Sequence, residues 1–447
     1  VYLCSETQER FMWVCPPSVT NLIVNHYNKT FDLPSVSSGA KASVIGKIRE
    51  DGQYIVHDKN EEIVNAVASE VTKGFLYNRP YENPNNIFKE PELEKPSNFN
   101  EILIRIMSHE NMASRKPVYE KYDKQVQGRT YTESGISNSG VLSPFNSSDY
   151  PSEIRNVGIA LSTDQNPRYG LISPYWVGVN ATVEAMRNVA SSGATPHAIT
   201  DCLCFGNPEK PKQMWEFVES TRGISDTCKV ITLKDHPEMP TPIIAGNVSF
   251  YNESKSGAIP PSPIVSCLGR IKDVNKSVNM NFQKENSLIL MVGKRKNELG
   301  GSIYYDLFNT LGANVPKPDL EEAKNEIFSL TSCIDNGLII SCHDISDGGL
   351  SCALSEMTFK NEIGCAVNFQ TLELTPEAFL FSETGGFILE IEEKNLVGVE
   401  QEFKKNNVDV ISIGKTKSNK RIKINNEINI SVTNVKQAWE SGLRDKL

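Results

Sequence analysis

Apolar residues recur at helical spacing in some stretches and cluster in short runs in others, and the two patterns take turns along the chain. Residues 180–192 place Val183, Met186, Val189 and Ala190 three or four apart, which predicts a helix with one inward face, and Gly193 follows where helices favour glycine. Residues 213–226 (QMWEFVESTRGISD) predict a second helix. Residues 101–107 (EILIRIM) predict a third, with Ile102, Leu103, Ile106 and Met107 on one side. Further helices are predicted over 350–357 and 397–406, and an exposed polar one over 436–446. Short apolar runs read as strands: 156–162 (NVGIALS), 264–271 (IVSCLGRI), 287–292 (SLILMV), and 338–341 leading into His343. Strands alternating with helices predict a mixed α+β architecture.

Two stretches break the pattern. Residues 81–98 (YENPNNIFKEPELEKPSN) are rich in Pro, Asn and Glu, which removes amide donors and disfavours helix, so they read as a linker. Residues 128–150 are rich in Ser, Gly and Asn and predict irregular structure. The chain also repeats itself. Ser5-Glu6-Thr7 precedes an apolar run, as Ser382-Glu383-Thr384 does, and each is followed by a helical segment and an apolar-Gly-Lys stretch at Val44 and at Ser412. Features in one order at a spacing of roughly 370 residues mark an internal duplication. On that spacing, 1–96 matches only the tail of the second copy. A complete first copy would need roughly 250–300 residues before Val1.

The bulk numbers narrow the class. At 447 residues the chain is long enough for two to four domains. A net charge of −9 with no basic cluster argues against nucleic acid as a partner. No apolar run reaches the ~18 residues of a membrane helix. Ten cysteines without a pair of C-x-x-C units argue against a zinc site and fit reduced thiols, so a cytoplasmic protein is expected.

The candidate chemistry lies in 200–253, between TDCLCFGNPE and GNVSFYNE. Each flank sets small polar groups beside glycine, which permits close approach of a phosphate, while Asp, Asn and Ser supply oxygens for Mg²⁺ or donors for a ligand; two tight turns capping buried strands would look the same. These stretches, with NPRYGLISPY (166–175), EAMRNVASSGATP (184–196) and HDISDGGL (343–350), resemble the second half of the formylglycinamide ribonucleotide amidotransferase (phosphoribosylformylglycinamidine synthase) family, in its small synthetase-subunit form. HDISDGG alone would indicate only the wider superfamily of aminoimidazole ribonucleotide synthetase, selenophosphate synthetase and thiamine monophosphate kinase.

The resemblance implies an aminoimidazole ribonucleotide synthetase-like, duplicated A/B architecture with its N-terminal copy largely missing. Residues 1–96 would be the end of the first B unit plus a linker, 97–275 the second A unit and 276–447 the second B unit. The two A units of the family pair edge to edge. The implied reaction turns formylglycinamide ribonucleotide, ATP and ammonia into formylglycinamidine ribonucleotide, ADP and phosphate. By motif, Asp201 and Gly246 would contact ATP, Asn247 Mg²⁺, and Ser249 the ribonucleotide. Glu6, Thr7 and Gln8 match the family's substrate-binding Glu-Ser-Gln.

His343, Asp344 and Asp347, with Gly300, Gly301 and Ser302 opening a helix whose free amides could hold phosphate, would form an auxiliary nucleotide site. A general-base role for His343 is the less favoured reading. The catalytic half of the family carries Glu-Asn-His-Pro and Arg-Asp where this chain has Gln165-Asn166-Pro167 and Arg187-Asn188. This copy therefore reads as a degenerate partner, with the catalytic histidine and lysine expected upstream. No glutaminase signature is present, so ammonia would come from a separate glutaminase subunit joined by a small bridging subunit. Two alternatives stay open: another synthetase or kinase of the superfamily, and a catalytically incomplete nucleotide-binding scaffold.

Overall fold

A computed structural model of the chain describes residues 9–74, 76–369 and 373–447. Two compact units divide it, 1–78 and 79–447. In the first, a helix α1 (Pro17–Asn25) precedes a hairpin of β1 (Gln53–Asp58) and β2 (Glu61–Val67), closed by a two-residue turn in which Lys59 has φ +56°. None of its described residues is buried. Phe11, Met12, Trp13, Val44, Ile45 and Ile48 are all exposed.

Besides two short two-stranded sheets, Thr232–Leu233 with His236–Pro240 and Glu253–Ser254 with Gly257–Ala258, the second unit holds two large ones. The first contains β3 (Thr130–Thr132), β4 (Gly140–Leu142), β5 (Gly158–Asp164), β6 (Thr195–Cys204), β7 (Ile243–Ser249) and β8 (Ser262–Ile271), in the order β3-β4-β5-β8-β6-β7. All neighbours are antiparallel except β6 and β7, which run parallel. Burial alternates strictly along β8, so one face is covered and the other is not.

The second sheet contains β9 (Leu288–Val292), β10 (Ser341–Ile345), β11 (Gly364–Val367), β12 (Gly386–Ile391), β13 (Val410–Lys417), β14 (Arg421–Ile424) and β15 (Ile428–Ser431), in the order β10-β12-β9-β13-β11-β14-β15. Every residue of β9, β10 and β12 is buried, which is why 287–292 reads as a continuous apolar run.

Between the sheets runs α2 (Pro174–Ser191), six residues longer at its start than the stripe at 180–192 predicts. Its small residues let it be buried on nearly every side, not on one. Its apolar side chains share a core with β5, β8, β9, β12 and α4 (Leu320–Asp335). Gly178 and Gly223 bring α2 against α3 (Pro211–Val230): a Cβ at either would fall 2.1 Å from the Ser220 carbonyl oxygen or 2.2 Å from that of Tyr175. Gly193 has φ +93° after the end of α2, as expected of a glycine stop.

Three expectations shift. The strand predicted at 338–341 lies at Ser341–Ile345, so His343 and Asp344 are within it. Residues 128–150, expected to be irregular, contribute β3 and β4. The closing helix, expected to be exposed and polar, spans Val432–Arg444 and buries Val432 and Val435. There it shares a core with the helix Phe99–Met107, which therefore packs with the second sheet although sequence order sets it before the first.

Candidate functional site

The sequence-predicted residues fall in two places. The first is the open edge of the first sheet. Parallel pairing sets Asp201 beside Gly246, Cys202 beside Asn247 and Cys204 beside Ser249. Asp201 lies on the same face as buried Leu203, and its carboxylate covers the Cα of Gly246: a Cβ there would fall 2.3 Å from Asp201 Oδ1. Burial raises the Asp201 carboxyl above its ordinary value. Side chains alternate along a strand, so Asn247 and Ser249 project from the opposite face. Asp201 and Gly246 are thus brought together, and so are Asn247 and Ser249, with the edge strand between the pairs. Ser249 Oγ is held by Asn252, whose side-chain nitrogen also donates to the Phe205 carbonyl. No strand pairs with the outer edge of β7 among the described residues, and Ile244 and Val248 are exposed along it.

The second place is a cluster of acids where the end of β5, one face of α2 and β10 meet. Asp164 ends β5; Glu184, Arg187 and Asn188 lie three and four apart on α2; Asp344 and Asp347 come from β10 and the turn after it. Burial, then the charge of Asp344, pushes Asp164 up to about 7. Burial, then Asp164, holds Glu184 well above the carboxylate range. Asp347 is raised by burial and by Glu383. Acids this close cannot all ionise in a low dielectric, so the cluster holds protons at neutral pH. Asn188 Nδ2 donates to Asp164 Oδ2 at 3.2 Å, and Asp344 Oδ2 is buried without a partner. Asp164 and Glu184 thus stand close in sequence to 165–167 and 187–188, where uncharged residues make this half read as degenerate.

His343 is not placed to take a substrate proton. Its Nδ1 lies 3.0 Å from Asn138 Oδ1 and its Nε2 3.0 Å from Glu356 Oε2, so both ring nitrogens are engaged. Burial alone would lower its pKa; the hydrogen bond and charge of Glu356, with Asp344, outweigh burial and raise it. Asn138 Nδ2 in turn donates to Asp344 Oδ1.

The free amides expected at 300–302 are committed elsewhere. Gly300 donates to the Asn314 carbonyl, Gly301 to Leu311 and Ser302 to Leu299. The helix they open is four residues long, Ile303–Asp306, and its first amide donates to Glu383 Oε1 at 2.9 Å. Glu383 also accepts from Gly348 N at 3.0 Å and from Tyr169 Oη at 2.5 Å. Arg168 joins the same region by an ion pair with Asp306 at 2.8 Å. Glu6, Thr7 and Gln8 lie outside the described residues.

Sequence reasoning missed Asp164, Glu184, Glu383 and Tyr169. A signal existed for two of them: Glu184 precedes Asn188 by one helical turn, and Glu383 occupies the repeat position of Glu6. Among the described residues, no group of three or more His, Cys, Asp and Glu side chains is arranged to hold a metal ion. No described helix is long and apolar enough to cross a membrane.

Comparison with known proteins places these features. Residues 150–271 match the AIR synthase related protein, N-terminal domain, and 284–425 its C-terminal domain. The phosphoribosylformylglycinamidine synthase subunit PurL of Methanothrix thermoacetophila is 38% identical over 456 residues, covering 100% of this chain and 58% of the relative. That of Methanocaldococcus jannaschii is 33% identical over 98% of this chain and 58% of the relative. The chain thus spans a little over half the length of these relatives. Among solved structures, Thermotoga maritima PurL complexed with FGAR is similar with a TM-score of 0.60 at 16% identity, over 76% of this chain and 54% of that one. A PurLQS structure from the same organism gives 0.57 at 15% identity, over 77% and 52%. These structural likenesses support the fold: the paired sheets of the 79–447 unit are of AIR synthase type.

Proposed function

The chain belongs to the AIR synthase related protein family, and from that premise we propose that it performs part of the synthetase reaction of its PurL relatives: formylglycinamide ribonucleotide, ATP and ammonia to formylglycinamidine ribonucleotide, ADP and phosphate. The observation that carries the proposal is the parallel register of β6 and the edge strand β7, which sets Asp201 against Gly246 on one face of the sheet and leaves Asn247 and Ser249 on the other. In this reading Asp201 and Gly246 meet ATP, Asn247 meets Mg²⁺ and Ser249 meets the ribonucleotide.

The chemistry explains the need for such a site. An amide carbon is a poor electrophile. Transfer of the ATP γ-phosphoryl group to the amide oxygen turns that oxygen into a leaving group, and ammonia then displaces phosphate to form the amidine. Catalysis of this kind rests on positioning and charge stabilisation. Asn247 offers one neutral oxygen, whereas Mg²⁺ takes six, so this chain contributes to the metal's shell without completing it. Bound Mg²⁺ would neutralise phosphate charge.

The open outer edge of β7 and the uncovered face of the first sheet fit a site shared with a second A unit. The exposed apolar residues of the 1–78 unit fit one that continues into an upstream half. In the same reading, a separate glutaminase and a small bridging subunit deliver ammonia, and the enzyme works in the cytoplasm. The acid cluster, with Asp344, Asp347 and the His343–Asn138 clamp behind it, is the proposed auxiliary nucleotide site. Its carboxylate oxygens are of the kind Mg²⁺ takes, with Asp344 Oδ2 unpartnered. Phosphate contacts there would come from groups other than the amides of Gly300, Gly301 and Ser302.

The test is ammonia-dependent ADP formation with formylglycinamide ribonucleotide, by this chain alone and mixed with the upstream half of a relative. Turnover in the mixture alone is expected. Turnover by the chain alone would overturn the shared site, and no turnover in either would overturn the assigned reaction.

A further inference from the structure

The strand β7 ends at Ser249, and the chain then turns sharply. Tyr251 has φ +61°, a left-handed conformation that residues other than glycine rarely adopt, so the surrounding contacts must hold it. They do so by tying the turn to the end of β6. Phe205 N donates to the Ser249 carbonyl at 2.9 Å, Tyr251 N to the Gly206 carbonyl at 3.0 Å and Asn252 N to the Phe205 carbonyl at 3.2 Å. Gly206 has no room for a side chain there: a Cβ would fall 2.3 Å from Gln213 Oε1 and 2.8 Å from the Ala258 Cβ.

Asn252 closes this turn. Its Nδ2 donates to the Ser249 carbonyl at 2.8 Å and to the Phe205 carbonyl at 3.0 Å, which fixes the end of the amide that faces the backbone. The Ser249 hydroxyl meets both ends of the same amide, 3.1 Å from Nδ2 and 3.3 Å from Oδ1. Among the described residues, no other side chain hydrogen-bonds that hydroxyl. A serine at a strand end has three staggered wells to choose from, and these contacts select one.

We infer that Asn252 is a positioning residue: it sets the rotamer of Ser249 and ties the end of β7 to β6, so that the hydroxyl is pre-set for the ribonucleotide. The inference rests on the reading of Ser249 as a contact to that ligand. A hydroxyl already held in one rotamer binds without losing that freedom, so the effect of Asn252 falls on affinity for the ribonucleotide. Asp201 and Gly246, read as ATP contacts, lie on the opposite face and are joined by strand pairing that Asn252 does not touch. An aspartate at 252 has the same shape but no proton to give the two carbonyls.

The experiment measures KM for formylglycinamide ribonucleotide and for ATP in ammonia-dependent ADP formation, with the full chain mixed with the upstream half of a relative. Asn252→Ala, Asn252→Asp and Ser249→Ala should each raise KM for the ribonucleotide about 10-fold and leave KM for ATP within about 2-fold of the parent's. The Ser249→Ala/Asn252→Ala double variant should lose no more than the worse single one. An Asn252 variant with the parent's KM, a double variant whose loss is the product of the single losses, or an equal rise in KM for ATP would overturn the positioning role. A parental KM in Ser249→Ala would instead overturn the contact assigned to Ser249, and the role of Asn252 with it. A parent mixture without turnover would overturn the assigned reaction and both roles. KM is read on the folded fraction alone, so a variant that folds poorly still tests the inference.

Discussion

Asp164→Asn removes a carboxyl that the fold makes hard to ionise, and should stabilise the chain increasingly as pH rises. The carboxyl has an ordinary value of 3.8 and is pushed up to about 7, so its ionised form is disfavoured in the folded chain by about 4 kcal/mol. The residue keeps some solvent contact, and Glu184 shares the proton, so about 2 kcal/mol is the working figure at pH 8. The sign follows from proton binding. Between about pH 4 and 7 the folded chain holds a proton that the unfolded chain has released, so stability falls with pH across that window and levels above it. Asparagine has no such proton and keeps an oxygen for Asn188 Nδ2. Urea unfolding of both proteins at pH 5 and pH 8 reads the effect. The variant's advantage should be larger at pH 8 by about 2 kcal/mol; an advantage equal at the two pH values, or larger at pH 5, would refute the buried-charge account.

Other substitutions probe the remaining contacts. Glu356→Gln should act with the opposite pH sign: the raised His343 stabilises fully below about pH 6.5 and loses that contribution as pH rises through its folded value, so the loss of thermal stability should be greater at pH 6 than at pH 9. Tyr169→Phe deletes a donor to buried Glu383 and should cost about 1–3 kcal/mol in urea unfolding. Gly178→Ala forces a methyl to within 2.1 Å of the Ser220 carbonyl, and moving α3 from α2 should cost about 1–3 kcal/mol, read as a lower unfolding midpoint.

Much of the fold could be read from the chain because the signals were local. The stripe at 101–107, the run at 287–292 and the glycine at 193 each state their own environment, and the structure buries or bends them accordingly. The motif residues at 201 and 246–249 were set apart by resemblance to the family, since two tight turns would look the same locally. What the sequence left open was non-local. Whether Asp201 faces Gly246 or Asn247 depends on the register of two strands joined through α3. Whether an acid holds a proton depends on which others stand beside it, and Asp164, Glu184 and Asp344 come from a strand, a helix and a second sheet. The amides of Gly300, Gly301 and Ser302 looked free because their partners, at Asn314 and Leu311, lie in a loop beyond the helix, while Glu383 takes the helix's first amide from 80 residues away. The sequence by itself determined the periodicities and the residue types available for chemistry. Tertiary structure alone decided partners, protonation and faces, since these are set by distance and dielectric between groups that chain order does not bring together.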